Sequence, residues 1–300
     1  MSSSRSPSLH VVKIVSLGEV LWDLFPDGNR FGGAAANFAC HAALNGGQVT
    51  MLSAVGMDER GEEALRILRG LGIETSSIQR TANAATGTVG VTVDASGKPS
   101  FVIHADAAWD CIDWTTGTES IIGCADAVYF GTLGQRCIQS RETIRRALEI
   151  ARTSRVRRIL DVNLRSPYFD NAMILESVSL ASVLKLSDEE FPLVAMACRI
   201  ESDSNQEDAL RSLLVRFGLE LVAMTRGAEG ALLISAVETI DHPGIPTVVC
   251  DTVGAGDAFT AAMVMGLCSG APLEAIARNA CTVASATCEY AGAIPFHLVR

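Results

Sequence analysis

The sequence predicts an α/β fold: a doubly wound, mostly parallel sheet sandwiched by helices, with a small protruding β-sheet that acts as a lid. Strand-like apolar runs alternate with helical patterns through most of the 300 residues, and this alternation is typical of consecutive βαβ units. Residues 86–104 break the alternation with two strand-like runs and no helix between them. The alternating part therefore predicts the main sheet, and the exception predicts a separate element.

The elements of the main sheet follow one another in chain order. A strand at residues 11–18 precedes a helix at 33–44, and a strand at 48–55 precedes a helix at 62–71. The alternation then returns, with strands at 127–131, 157–163, 183–187 and 220–225 and helices at 138–152 and 205–217. Helical crossovers of this kind join parallel strands.

Two segments predict the lid. Residues 19–31 are too short, and too often interrupted by Gly and Pro, to form a helix. Residues 86–104 have the pattern of an antiparallel hairpin around the turn Ala95-Ser96-Gly97. Because no linker or internal repeat divides the sequence, we predict one domain over residues 1–300, with the two lid segments inside it.

Composition and charge exclude several classes of partner. The net charge is −10 and only 5% of the residues are aromatic, whereas nucleic-acid-binding proteins concentrate basic and stacking side chains. Lys13 interrupts the first apolar stretch, so the start of the chain lacks the apolar region of a signal peptide. Since no long uninterrupted apolar run follows, we expect a cytoplasmic protein without a membrane or nucleic-acid partner.

Common metal and nucleotide motifs are missing. The nine Cys include no C-x-x-C pair and the five His are scattered, so buried thiols and structural imidazoles are the simpler interpretation. The segment from Gly56 to Glu63 has acidic residues where a Walker loop needs Lys and a hydroxyl. A single glycine, Gly18, follows the first strand where a dinucleotide-binding fold needs three.

The most informative segment is DTVGAGDAF, from Asp251 to Phe259. It predicts a helix that begins near Gly254, where two glycines and the free N–H groups of a helix start favour a phosphate. Asp257 would lie in the first turn, where a carboxylate can accept a proton from an attacking hydroxyl while the turn Gly254-Ala255-Gly256 stabilises the phosphoryl group. The alternative is a glycine turn whose Asp only caps the helix.

This segment resembles the C-terminal signature of the PfkB, or ribokinase, family of carbohydrate kinases. The residues from Gly32 to Asn37 and from Val55 to Gly61 resemble its N-terminal signature, so the resemblance covers nearly the whole chain. It implies a ribokinase-like fold and an ATP-dependent, Mg²⁺-dependent sugar kinase that phosphorylates a primary hydroxyl. GEVLWDLFPDG (18–28) and DVNLRSPY (161–168) look most like bacterial fructokinases, which implies fructose.

The resemblance also implies a set of residues that bind the sugar. Asp23, Gly32, Gly33 and Asn37 would contact its hydroxyls beside Asp257, and Arg165 would contact phosphate or substrate. Each residue has a simpler interpretation, because Asp23 fits a turn, Asn37 fits a helix face and Arg165 fits a surface salt bridge. The prediction depends on their coming together in space.

Other positions resemble the family's ATP site. Thr225 and Gly227 lie in a phosphate loop that also fits a plain hairpin turn, Asn279 would lie near the adenine, and Gly254 and Gly256 would hold phosphate. The family's Asn-x-x-Glu motif, which organises Mg²⁺ indirectly, is here Ser187 to Glu190, a pattern that equally fits a helix capping box.

Two further expectations come from the resemblance. A monovalent cation, K⁺, would bind near Asp251, Thr252 and Gly292, and the protein would form a homodimer through the lid. The substrate remains open among fructose, ribose, 2-keto-3-deoxygluconate and a nucleoside. A relative that binds nucleotide or sugar without turnover also remains open, with Ser187 as the feature in its favour.

Overall fold

Two sheets organise the protein, in a computed structural model that describes residues 11–93, 99–201 and 205–295. The strands are β1 (Lys13–Leu17), β2 (Leu21–Phe25), β3 (Gly28–Gly32), β4 (Gln48–Gly56), β5 (Ile78–Thr81), β6 (Gly87–Val93), β7 (Pro99–Ile103), β8 (Ala127–Gly131), β9 (Arg157–Asp161), β10 (Val183–Ser187), β11 (Leu221–Thr225), β12 (Ala231–Ser235) and β13 (Thr239–His242). The larger sheet has the order β13-β12-β11-β10-β9-β8-β1-β4-β5. From β11 to β5 all neighbours are parallel, and β12 and β13 add an antiparallel edge.

Helices cover both faces of this sheet. They are α1 (Ala34–Leu44), α2 (Glu59–Gly70), α3 (Thr118–Gly123), α4 (Ile138–Thr153), α5 (Asn171–Leu180), α6 (Phe191–Ala197), α7 (Gln206–Phe217), α8 (Ala255–Cys268) and α9 (Leu273–Thr287). Successive strand residues point to opposite faces, so Ile14 packs in one apolar cluster with α1, α2, α8 and α9, whereas Val15 packs in a second cluster with α3 to α7. No helix in the described ranges has the length and apolar character needed to cross a bilayer.

The smaller sheet is the lid, with the order β3-β2-β6-β7. Both predicted lid segments contribute to it, since β2 and β3 come from residues 19–31 and β6 and β7 from residues 86–104. The central pair β2 and β6 is parallel, and the two outer pairs are antiparallel. The predicted turn at 95–97 lies outside the described residues.

The predicted fold class is confirmed by this arrangement, with small differences in the element boundaries. Helix α2 begins three residues before its predicted start because the Asp58 side chain caps it, accepting a hydrogen bond from the Gly61 amide at 2.8 Å. The sequence pattern did not resolve β5, β12 and β13 as separate strands.

A buried ion pair attaches the lid to the main body. The Arg136 guanidinium and the Asp110 carboxylate, each 4% exposed, approach to 2.6 Å. Arg136 also lies 4.0 Å from the centre of the Trp109 ring and donates a hydrogen bond to the carbonyl of His104, just after β7. The Tyr168 hydroxyl donates to the carbonyl of Ile103 at 2.9 Å, so two independent contacts hold the end of β7.

We expect Asp110→Ala to lower the free energy of unfolding by about 3–5 kcal/mol, because it leaves the Arg136 charge buried and unpaired. Glu149→Gln is the matched control: it removes the exposed pair of Glu149 with Arg152 and should change stability by less than about 1 kcal/mol. Chemical denaturation measures both variants, and equal small effects would contradict the importance of the buried pair.

Candidate functional site

A cavity of about 500 Å³, here called the lid cavity, lies between the lid and the carboxyl ends of the parallel strands. Ligands of open α/β sheets gather at this edge. Leu21, Val89, Phe101 and Ile103 of the lid form an apolar wall. Most of the predicted sugar-binding and catalytic residues line the same cavity, namely Asp23, Gly33, Asn37, Arg165, Gly254, Gly256 and Asp257.

Helix α8 begins at this cavity, as the sequence predicted. Gly254 caps it with a φ of +79°, and a β-carbon at this position would lie 2.6 Å from the Ala293 side chain, so only glycine fits. The first turn of a helix leaves backbone N–H groups without intrahelical partners, and the helix dipole favours an anion there. The turn is therefore suited to hold a phosphate beside Asp257.

Asp257 is a carboxylate with an altered proton affinity. Burial, followed by the nearby Asp161 charge, raises its pKa to about 7, although Asn37, Lys185 and Arg165 oppose the change. The Asn37 amide donates to Asp257 Oδ2 at 2.9 Å and orients the carboxylate. The Asn37 amide oxygen is buried without a hydrogen-bond partner among the described residues. A group with a pKa near neutral is well matched to accept a proton.

Asp23 faces the cavity from the lid. Burial raises its pKa to about 6, against the charges of Arg165 and Arg30. Gly32 does not line the cavity, but a β-carbon on it would lie 2.8 Å from Asp23 Oδ2, so this glycine makes room for the carboxylate. Gly33 begins α1 with a φ of +103°, which brings the backbone to the cavity wall.

Arg165 is exposed and projects into the lid cavity from the loop after β9. Its guanidinium donates to the neighbouring carbonyl of Leu164 and has no ion-pair partner among the described residues. The surface salt bridge considered for Arg165 in the sequence analysis is therefore not formed among the described residues. Its charge lowers the pKa values of Asp23 and Asp257, so it contributes to the electrostatics of the cavity.

A second cavity of about 650 Å³, here called the hairpin cavity, lies beyond the start of α8. Thr225 and Gly227 line it from the connection between β11 and β12. The two interpretations of this loop are thus compatible, because it joins an antiparallel pair and also forms a cavity wall. Asn279 is exposed and does not line this cavity. Helix α9 contributes Cys281, Ala284 and Ser285 to the lining, and Cys288, directly after the helix, adds to it.

Ser187 and Glu190 exchange reciprocal hydrogen bonds in the turn before α6, whose N-cap residue is Glu190 and not Ser187. The Glu190 amide donates to Ser187 Oγ at 3.2 Å, and the Ser187 amide donates to Glu190 Oε2 at 2.8 Å. The other Glu190 oxygen accepts from the Leu164 amide at 2.7 Å. Ser187 lines the hairpin cavity but Glu190 does not, whereas its neighbours Asp188 and Glu189 do. Glu190 therefore fixes the loops at this edge instead of facing the cavity.

The residues predicted for a monovalent cation lie close together. Asp251 Oδ2 accepts from the Gly292 amide at 2.9 Å, and Thr252 lies beside them on the wall of both cavities. Among the described residues, no group of three or more His, Cys, Asp or Glu side chains is arranged to hold a metal ion.

Sequence reasoning missed Lys185 and Asp161. Lys185 Nζ lies 3.1 Å from Asp161 Oδ1 in a buried ion pair between adjacent strands, and Lys185 lines both cavities. Burial disfavours its charge, but Asp161, Glu190 and Asp257 outweigh burial and raise its pKa, so the ammonium persists at neutral pH. One signal in the sequence could have revealed the pair. Lys185 is a lone charge in the apolar run VLKL, and a charge that is buried in a strand needs a partner of opposite charge.

Known proteins resemble this chain along nearly its full length. Aminoimidazole riboside kinase of Salmonella typhimurium is 28% identical, with 95% of this chain and 92% of that protein covered. A fructokinase of the same species is 26% identical, with 92% and 91% covered. The crystal structure of an uncharacterized Pyrococcus horikoshii sugar kinase in complex with ATP superposes with a TM-score of 0.77 at 29% identity, with 93% of each chain covered.

The family comparison agrees with these relatives. The match to the pfkB family of carbohydrate kinases extends over residues 18–298. The chain therefore belongs to the pfkB family of carbohydrate kinases.

Proposed function

We propose that this carbohydrate kinase transfers the γ-phosphoryl group of ATP to a primary hydroxyl of a neutral monosaccharide, with fructose as the preferred substrate. The position of Asp257 carries the proposal. Its carboxylate lines the lid cavity, and the preceding residue, Gly256, lines both cavities. A sugar in the lid cavity and a nucleotide in the hairpin cavity would thus meet at the start of α8.

The proposed reaction is an in-line displacement. The substrate hydroxyl oxygen forms a bond to the γ-phosphorus and gives its proton to Asp257. The bond between that phosphorus and the bridging oxygen breaks, and ADP leaves with the electron pair. The N–H groups of the turn from Gly254 to Gly256 stabilise the charge on the transferring group.

The polar groups of the lid cavity suit a sugar with several hydroxyls. Three carboxyl groups line it, those of Glu19, Asp23 and Asp257, and burial raises the pKa of each. A carboxyl group accepts hydrogen bonds from hydroxyls when ionised and can also donate one when protonated. This set of groups supports fructose or ribose as the substrate.

A riboside with a planar base is the second candidate. Phe101 lines the lid cavity and its side chain is 52% exposed at the wall, so a base could stack on it. The similarity to aminoimidazole riboside kinase adds weight to this candidate. The similarity to a fructokinase is of the same order, so identity alone does not separate the two substrates.

The hairpin cavity has the composition of a nucleotide site. Its wall combines apolar side chains such as Ile245 and Phe259 with the glycine backbone of the β11–β12 connection. When Mg²⁺ is bound with ATP it neutralises phosphate charge. Asp188 and Glu189 line the cavity and Glu190 does not, so Asp188 and Glu189 are better placed to hold the ion through water molecules. We also propose that K⁺ binds near Asp251 and Gly292, where it would support the catalytic turn.

The direct test is ATP consumption by the purified protein with Mg²⁺ and K⁺, comparing fructose, ribose, aminoimidazole riboside, adenosine and 2-keto-3-deoxygluconate. We expect fructose to give the highest kcat/KM. Asp257→Asn should lower kcat by about 10²–10⁴-fold and keep sugar binding, because the amide lacks basicity but preserves shape. The control is Asp208→Asn, which changes an exposed acid in the first turn of α7.

Each other outcome would change the proposal in a defined way. Preference for a riboside would keep the mechanism and select the second candidate. Normal kcat in Asp257→Asn would refute the assignment of the base. Absence of turnover on all five compounds, with ADP binding intact, would support a binding subunit without catalysis.

We further propose a homodimer formed through the lid. Strands β3 and β7 are the edges of the lid sheet, and Val102 of β7 is 58% exposed. An exposed apolar edge strand is a site for pairing with a second sheet. Light scattering should give twice the mass of one chain, and Val102→Lys should give the mass of a monomer. A monomeric wild-type protein would remove this proposal.

A further inference from the structure

The lid cavity and the hairpin cavity share one stretch of wall. Three residues line both cavities: Lys185, Thr252 and Gly256. If the proposed function is correct, the phosphoryl group passes this wall on its way from the nucleotide to the sugar. Of the three residues, only Lys185 carries a charge.

The Lys185 ammonium lies directly against the catalytic turn. A β-carbon placed on Gly256 would lie 3.1 Å from Lys185 Nζ, so the amine occupies the space beside this glycine, the residue just before Asp257. The side chain is only 8% exposed, and it reaches this place from the middle of β10. Arg165 is a less suitable cation for the transfer, because it is exposed and lines the lid cavity alone.

Asp161 fixes the position of the ammonium. Lys185 Nζ donates to Asp161 Oδ1 at 3.1 Å, and the Thr260 hydroxyl donates to Asp161 Oδ2 at 2.9 Å. Asp161 is 1% exposed, so the carboxylate is held rigidly from both sides. An ammonium has three N–H donors, and among the described residues Asp161 is the only acceptor that Nζ contacts. Two donors therefore remain for a ligand.

A purely structural role explains this arrangement less well. A buried ion pair contributes little net stability compared with apolar side chains of similar volume. Lys185 lines both cavities, and the proposed reaction places there a group that carries negative charge in its transition state. A preorganised cation at that point lowers the barrier without reorganising during the reaction.

We propose that Lys185 is a catalytic residue whose ammonium donates hydrogen bonds to an oxygen of the phosphoryl group during transfer, and that Asp161 is the positioning residue that holds it. The ammonium keeps its proton throughout the reaction. The hydroxyl proton goes to Asp257, the new bond joins the hydroxyl oxygen to phosphorus, and ADP leaves with the electrons of the broken bond. This inference rests on the proposed kinase function.

The main test compares Lys185→Met with the wild type. Met keeps the length of the side chain and removes the charge, so we expect kcat with fructose and ATP to fall by about 10²–10³-fold. The Kd for fructose and the Kd for ADP should change less than threefold. Lys13→Met is the control, because it changes an exposed lysine at the start of β1, far from the site in the fold; its kcat should equal that of the wild type.

The pH dependence of kcat/KM separates a catalytic from a structural role. Asp257 accepts a proton only when ionised, so activity should be lost as the pH falls below about 7, the raised pKa of Asp257. The charged or titratable groups that act on Asp257 or are acted on by it are Asp161, Lys185, Arg165 and Tyr129.

Asp161→Asn should move the acidic limb of the pH profile, the fall in kcat/KM at low pH, to lower pH. It removes a negative charge that raises the pKa of Asp257. A general loss of structure would lower the activity at every pH without this displacement.

A second measurement, of ADP binding, does not require that a sugar is phosphorylated. ADP binding to the wild type, measured by calorimetry with Mg²⁺, should tighten when tetrafluoroaluminate is added as a mimic of the transferring phosphoryl group. In Lys185→Met this tightening should disappear while binding of ADP alone persists. If no sugar is phosphorylated but the Lys185-dependent tightening occurs, the proposed function fails and the role of Lys185 stands.

Three results would overturn the inference. The first is a normal kcat in Lys185→Met. The second is a loss of kcat in Lys185→Met that is matched by an equal loss of ADP and fructose affinity. The third is tetrafluoroaluminate tightening that is the same in Lys185→Met and in the wild type.

Discussion

The carboxylate of Asp161 joins three elements, and the geometry of the site depends on it. Asp161 ends β9, pairs with Lys185 of β10 and accepts a hydrogen bond from Thr260 of α8. Helix α8 is thereby held with its first turn over the carboxyl ends of the strands. The position of Asp257 between the two cavities follows, because Asp257 lies one helical turn before Thr260. Catalytic geometry and packing of the core thus share one buried contact.

A different buried contact, the ion pair of Arg136 and Asp110, holds the lid beside the same site. Arg136 and Asp110 hold the end of β7 against the main body, and β7 supplies Phe101 and Ile103 to the lid cavity. A closed lid would exclude water from the transfer, which limits wasteful hydrolysis of ATP. The apolar inner wall of the lid fits that purpose.

The sequence predicted the fold well because its signals are local. Apolar periodicity placed the main strands and helices, and the glycines around Asp257 placed the start of α8, where Gly254 adopts a positive φ. The meeting of Asp23, Asn37 and Arg165 at one cavity was predicted from resemblance and matches the structure's geometry.

The contacts that sequence reasoning missed are not local. The pair of Asp161 and Lys185 arises only because β9 and β10 are neighbours in the sheet. Asn279 lies outside the lining of the hairpin cavity, because the buried face of α9 contains Ile276, Ala280 and Cys281. Glu190 was expected to act on Mg²⁺, but its carboxylate is already bonded to two backbone amides.

The central claim is that the phosphoryl group crosses from one cavity to the other between the start of α8 and Lys185. A crystal structure with fructose, ADP, Mg²⁺ and tetrafluoroaluminate tests it most directly. We predict fructose in the lid cavity, ADP in the hairpin cavity, and the fluoride complex between them. Its fluorine atoms should lie within hydrogen-bonding distance of the Gly254–Asp257 amides and of Lys185 Nζ. A fluoride complex that lies away from this wall, or a nucleotide in another place, would contradict the claim.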